Sequence, residues 1–309
     1  MPARTDAPRR LAPRFALQIA PVLFALCVST GCFSGARSYI PRGKVDMPAL
    51  FAKQAGDKDP EPLKIIPPPP PGTLTLSVAE TADESALSRL AKKAVENEKK
   101  LNNYICRMKR REQMNGHDQP EEIIQLRFRR APFSVHMKWL GAEAKGREII
   151  YVKGQHDDKL HLLTGAGDLF GAGKHLTFAP DNPLVRSKSH YAVTEAGLGA
   201  AVSRFGALMN AVERKQANAG SAKYLGMQTR PEFPKPVETV EQTLPPGLES
   251  FLPKGGTRYY YFDETLGLPT VIVTFDTDHH EVEYYCFDRL QSPVDLDDAD
   301  FDPATLWGK

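Results

Sequence analysis

The sequence predicts an α+β fold, one large antiparallel sheet with helices packed on it. Two amphipathic helical stretches are separated by runs of strands instead of alternating with them, which argues against a parallel nucleotide-binding sheet. The strand segments follow one another through short turn signals, of which Asn115-Gly116 is the strongest. After Glu80 nothing resembles a second linker, so about 230 residues are available to bury a single core.

The elements follow in order. Thr81 or Asp83 opens a helix, with Asp83 and Glu84 at its positive end and Leu87, Leu90, Ala91, Ala94, Val95 and Leu101 as its apolar stripe. It runs to about Asn102. Strands are expected at 104–114 and 123–130 across the Asn115-Gly116 hairpin. Next, Phe133, Val135, Met137 and Trp139 alternate with Ser134, His136 and Lys138, which reads as one apolar and one wet face. Further strands are expected at 147–153, 159–163, 223–229, 237–243, 258–263, 269–275 and 281–287. A second helix at about 197–216 carries Leu198, Val202, Phe205, Leu208, Met209 and Val212 on one side.

The chain has 309 residues, 41% hydrophobic and 25% charged, within the range of globular proteins. Its formal net charge of +2 is set by residues 1–31, which hold Arg4, Arg9, Arg10 and Arg14 against Asp6. The remainder has 36 cationic and 37 acidic side chains, and a nucleic-acid partner is not expected of so neutral a surface.

The cationic start is followed by an apolar run of 14 residues, Phe15 to Val28, too short to span a bilayer comfortably. Residues 1–31 therefore read as a signal peptide. Ser29-Thr30-Gly31 leads directly to Cys32, which resembles the lipidation box of bacterial lipoproteins, with Ser29 where Leu is preferred. Cys32 is the expected lipid-attachment residue; simple cleavage beside an unmodified Cys32 is the alternative. Residues 32–79 hold scattered prolines and five in a row, Pro67 to Pro71, a stiff tether between a membrane anchor and the domain at 80–309. The expected location is the cell envelope, on the outer membrane facing the periplasm.

Two cysteines remain in the domain. In an oxidising compartment Cys106 and Cys286 are a candidate disulfide, and two separate buried thiols are the other possibility.

No nucleophile elbow, His-Glu-x-x-His helix or cysteine–histidine signature occurs, so no catalytic residue, metal or cofactor is assigned. The clusters His156, Asp157, Asp158 and His161, and Asp276, Asp278, His279, His280 and Glu281, fall at hairpin tips, where turn chemistry accounts for them before metal binding does. The run Arg107, Lys109, Arg110 and Arg111 reads as a solvated strand face, with contact to anionic head groups as the alternative. Aromatic residues are abundant on the strands, and at 259–262 and 284–287 both parities are apolar, so both faces of the sheet need cover. A curved sheet of this kind either encloses an apolar cavity or packs a filled core. The cavity reading takes Phe133, Trp139, Tyr151, Leu169, Phe170, Tyr259, Tyr261 and Phe275 as ligand-binding. Gly165, Gly167, Gly171 and Gly173 free a loop whose tip, Leu169-Phe170, either acts as a lid inserted in the cavity or packs permanently on the core.

The stretches 131–139, 145–154 and 156–160, with Thr194-Glu-Ala-Gly-Leu198, resemble the uncharacterised bacterial family of domains of unknown function numbered 1571. The resemblance covers roughly Leu101 to Phe301 and implies a secreted envelope domain with no assigned catalytic residues. The stretch Phe262-Asp-Glu-Thr-Leu-Gly-Leu-Pro269, with Asp300-Phe301-Asp302, is similar to the closing strands of the periplasmic carriers that deliver lipoproteins to the outer membrane. That likeness implies an unclosed half-barrel with helices plugging a cavity. The expected function is binding of an apolar ligand, the acyl chain of a lipid or lipoprotein, without catalysis. A structural or interaction protein with a filled core, and then an enzyme with an unrecognised site, are the alternatives.

Overall fold

The computed structural model describes residues 78–216 and 220–308. The expected leader, the expected lipid-attachment residue Cys32 and the expected tether up to residue 77 lie outside them. Helix α1 is Val78–Glu98 and is followed by strands β1 (Asn103–Met114), β2 (His117–Asp118), β3 (Glu122–Arg129), β4 (Ser134–Trp139), β5 (Glu148–Val152), β6 (Leu160–Leu163) and β7 (His175–Phe178). A one-turn helix α2 (Pro183–Arg186) and helix α3 (Leu198–Glu213) come next. Strands β8 (Ser221–Gln228), β9 (Val237–Leu244), β10 (Gly256–Phe262), β11 (Pro269–Asp276) and β12 (Glu281–Gln291) and a C-terminal turn α4 (Pro303–Trp307) complete the fold.

The strands form one antiparallel sheet in the order β7-β6-β5-β4-β3-β1-β12-β11-β10-β9-β8, with β2 paired only to β1. It does not close; β7 and β8 are left as its edges. The predicted α+β class, a large unclosed antiparallel sheet with packed helices, is the observed one. Asn115 and Gly116 both take positive φ, 53° and 78°, the geometry a two-residue hairpin with the native strand twist requires. Strand β7 is not among the expected strands: four residues beginning with His175 carry too little pattern to be read.

One face of the sheet packs on the helices. Leu87, Leu90 and Ala94 of α1, and Leu198, Ala201, Val202, Phe205, Leu208 and Met209 of α3, are buried in a core shared with Tyr260, Phe262, Met108 and Leu126. Their spacing of three and four residues is the helical stripe that buries apolar area at about 25 cal/mol per Å².

The outer face is covered as well. Segment 229–236 crosses β10–β12, where Tyr259, Tyr261, Val271, Val273, Phe275, Tyr284 and Cys286 form a second apolar cluster with Phe233 against it. Arg230 stacks 4.9 Å from the Tyr261 ring, and Tyr284 donates to Glu232 at 3.0 Å. Residues 297–307 cover β3–β5. Arg129 pairs with Asp298 at 2.7 Å and lies over the Phe301 ring at 4.8 Å, while Trp307 Nε1 donates to Glu148 at 3.1 Å. The expected wet face of β4 is thus dry at Ser134, 0% exposed, and His136, 3% exposed, while Lys138 still reaches water.

Three expectations are corrected here. Cys106 and Cys286 are free, buried thiols. Cys106 lies opposite Leu126 on the helix-facing side and Cys286 opposite Val271 on the outer side, so their side chains leave opposite faces of the sheet and no bridge forms. Tyr259, Tyr261 and Phe275 likewise point outward, away from any internal cavity. The basic run divides by parity: Arg107 and Lys109 pair outward with Asp288 and Arg111 with Glu281, but Arg110 turns inward with its side chain only 12% exposed.

Candidate functional site

Helices α1 and α3 pack on each other, and their main contacts with the sheet are to β8 and β11. Strands β4–β7 lie outside those main contacts. The connection 179–197, including α2, bridges those strands and leaves beneath it a cavity of about 400 Å³, within the range of small-molecule sites. Its walls are Met108, Met137, Trp139, Ile149, Leu160, Leu162, Leu176, Phe178, Ile272 and Phe287 from the sheet and Val185, Val193 and Ala201 from the covering side. Each sheet residue comes from the inward parity of its strand, which is why alternate residues of several strands meet there.

The covering segment is pinned near its middle, at Ser189–Tyr191. Ser189 Oγ and the His190 amide donate to Glu112, Tyr285 donates to the same carboxylate at 2.6 Å, and Tyr191 donates to Glu283 at 2.8 Å. Arg258 also holds Glu283 at 3.0 Å. Burial would push the Glu283 carboxyl up, but Arg258, with hydrogen bonds from Thr274 and Tyr191, outweighs it and keeps it below the usual carboxylate range.

The rim is different in character. Among the described residues the exposed large apolar side chains include Leu169 at 85%, Phe170 at 51% and Leu184 at 42%, and all three line the cavity. The loop bearing the first two is rigidly built at its base: Asp168 accepts from the Gly165 amide at 2.7 Å and is ion-paired with Arg147, and Thr164 Oγ1 donates to the Gly171 carbonyl at 2.5 Å. Leu169 and Phe170 are therefore neither inserted in the cavity nor packed on the core, the two arrangements expected from the sequence. They stand at its mouth in water.

Of the eight residues read as ligand-binding, Trp139, Leu169 and Phe170 line the cavity. Phe133 and Tyr151 are 6.1 Å apart in the adjoining core, where Phe133 packs edge-on against Phe128, and do not line it. The three outward aromatics are excluded by parity. Sequence reasoning missed Met108, Met137, Leu160 and Leu162, although strict alternation on β4 already placed Met137 beside Trp139. It also missed the covering segment, whose residues carry no period.

Among the described residues no group of His, Cys, Asp and Glu is placed to hold a metal, and no helix is long and apolar enough to cross a membrane.

Fold and cavity together define an unclosed antiparallel half-barrel with an internal apolar site reached through an apolar rim. The chain belongs to the family described as Protein of unknown function (DUF1571), whose model matches residues 101–305. No curated protein matches it in sequence. Solved structures similar to it include an uncharacterized conserved protein from Thermus thermophilus, at 6% identity and TM-score 0.40 over 70% of this chain and 92% of that one. Another is the Mycobacterium tuberculosis lipoprotein LppX, at 11% and 0.39 over 69% and 99%. A third is a LolA superfamily protein from Nitrosomonas europaea, at 10% and 0.34 over 70% and 97%.

Proposed function

We propose that this protein binds a single acyl chain, part of a lipid or a lipoprotein, in the cavity beneath residues 179–197, and that it does so as an exported envelope protein anchored through Cys32. The observation that carries the reading is a cavity of about 400 Å³ with a largely apolar wall, open at a rim of exposed Leu169, Phe170 and Leu184. Each methylene transferred from water to such a wall contributes about 0.8 kcal/mol, so a partly inserted chain is held without any covalent chemistry. An apolar rim in water costs stability in a filled-core scaffold and has a use where a chain must enter.

Native mass spectrometry of the protein extracted from its own membrane tests this. Co-purifying lipid, and loss of it in a Leu162→Trp variant that fills the cavity, is the expected result. A bare mass, together with no uptake of a fluorescent fatty-acyl probe by the purified chain, overturns it. Intact mass of the same sample reads the anchor: a Cys32 carrying diacylglycerol supports it, and an unmodified Cys32 removes it.

A further inference from the structure

The apolar side chains left in water are unevenly placed. Among the described residues the exposed large ones are Val95, Leu169, Phe170, Leu184, Met227 and Leu248. Leu169, Phe170 and Leu184 line the cavity. Leu248 belongs to the loop between β9 and β10, which reaches the covering segment through Phe251, stacked on His190 at 3.8 Å. In an antiparallel sheet alternate connections emerge at the same end, and the β9–β10 loop shares its end with the β6–β7 loop that carries Leu169 and Phe170. Met227, near the close of β8, is at the opposite end. The β6–β7 loop is also held out from the sheet by its base, where Asp168 is fixed by Arg147 and by the Gly165 amide, so its two apolar tips are presented without further ordering.

The charges beside these side chains indicate the partner. Lys145 accepts the Ala166 amide on its carbonyl at 3.0 Å, and Lys174 accepts the Thr164 amide at 2.9 Å, so the two lysines flank the loop on either side. Lys188 lies on the covering segment and lines the cavity. All three are exposed, and among the described residues none of them is ion-paired. Arg186 adds a half-buried cation, while Glu143 and Asp181 are the exposed carboxylates of the same segments. Lysine is depleted in protein–protein interfaces, and a protein seated here would close the opening that leads into the cavity. A bilayer has neither drawback: its phosphates suit lysines, and its acyl region accepts the apolar tips.

We infer that the end of the sheet bearing Leu169, Phe170, Leu184 and Leu248 docks on an anionic phospholipid bilayer, with Lys145, Lys174 and Lys188 against the phosphates, so that a chain passes between bilayer and cavity without crossing water. The purpose of this surface rests on the acyl-chain reading above; its existence is tested without any bound chain.

A tryptophan is placed at either end of the sheet, in Phe170→Trp and in Met227→Trp, each in the full-length chain carrying Cys32→Ala so that no lipid anchor holds it. The rest of the N-terminal segment is common to every variant. The proteins are mixed with vesicles of brominated phosphatidylcholine, alone or with an equal part of brominated phosphatidylglycerol. The chain carrying Cys32→Ala alone is the blank, since Trp139 is buried and Trp307 half-buried. The replaced side chains are exposed, so an unchanged melting temperature checks that each variant is folded. The indole at position 170 should be quenched on the anionic vesicles and the one at 227 should not. Replacing Lys145, Lys174 and Lys188 together by Gln should raise the lipid concentration for half-quenching at 170 about a hundredfold, roughly fivefold per lysine. Equal quenching at the two positions, none at either, or quenching at 170 that is indifferent to phosphatidylglycerol and to the lysines overturns the inference. So does an indole at 170 that vesicles leave unquenched and that concentrating the protein alone shields from iodide, which assigns the surface to a second copy. In each of these cases uptake of the fluorescent fatty-acyl probe keeps the acyl-chain reading standing, whereas quenching as expected without probe uptake removes that reading and keeps the surface.

Discussion

The Tyr104 hydroxyl, on the first long strand, accepts the backbone amide of Leu198 at 2.9 Å and so satisfies the first turn of α3. The ring is fully buried and stacked on Phe128 at 4.7 Å, which holds the hydroxyl in place. Helix and sheet are joined here by one hydrogen bond in a dry site, and Gly197 lets it form. With φ at +96°, a Cβ on Gly197 would lie 2.4 Å from that hydroxyl.

Gly197→Ala is accordingly expected to cost about 3 kcal/mol, from the strained φ and from displacing a buried tyrosine. Tyr104→Phe should cost about 1–2 kcal/mol, since it leaves the Leu198 amide unpaired. Urea unfolding of both variants measures this; a neutral Gly197→Ala would show that α3 docks without the Tyr104 contact.

A second prediction concerns the dry outer face of β4. His136 Nε2 lies 2.8 Å from Glu148 Oε2, and Arg127 Nη1 lies 3.5 Å from His136 Nδ1, so the neutral ring carries its proton on Nε2 and donates to the carboxylate. Burial alone would push Glu148 up, but hydrogen bonds from His136 and Lys138 outweigh it and hold it at about 2. Burial lowers His136 from its ordinary value of 6.5 more than Glu148 restores it. Both groups bind fewer protons folded than unfolded, so both make stability fall with acidification. The His136 part begins to be lost below pH 6.5, and the Glu148 part, on the order of 3 kcal/mol, is present above pH 4.5 and lost toward pH 2. Glu148→Gln should destabilise the protein at pH 7 by about 3 kcal/mol and flatten the acid limb of its stability curve. An acid limb identical to wild type would count against this network.

The rim makes a contrasting prediction. Because Leu169 and Phe170 are exposed, replacing both by Ser should change stability by no more than about 0.5 kcal/mol. The rate of acyl-probe uptake should change clearly. A large drop in melting temperature would mean that these side chains are buried in solution.

Thiol chemistry provides the last test. Burial pushes Cys286 up to about 12 and Cys106 higher still, so neither is a thiolate at neutral pH. Both should resist a thiol reagent in the folded protein and both should react once it is unfolded without reductant. A folded chain that labels rapidly, or an unfolded one in which both stay unreactive, would contradict the placement on opposite faces.

The local pattern was sufficient for most of the architecture. The helices at 78–98 and 198–213, the hairpin at Asn115-Gly116 and the long strands lie close to where period and turn chemistry put them, because those signals act between neighbours in the chain. Chain order excluded a parallel sheet. What alternation does not contain is a sign. On β10 the residues 259–262 are apolar at both parities, so nothing local says that Tyr260 faces α3 while Tyr259 and Tyr261 face segment 229–236. The same indifference misplaced Cys286 relative to Cys106. Other assignments depended on partners too distant in sequence for any window: Ser134 and His136 are dry because residues 297–307 fold over them, and Trp139 lines a cavity because 179–197 bridges β4–β7 without filling it. The sequence determined which segments form strands and helices. The tertiary structure alone decided which face of each became core, cover or cavity, because that choice is set by long-range burial and not by the residues on either side.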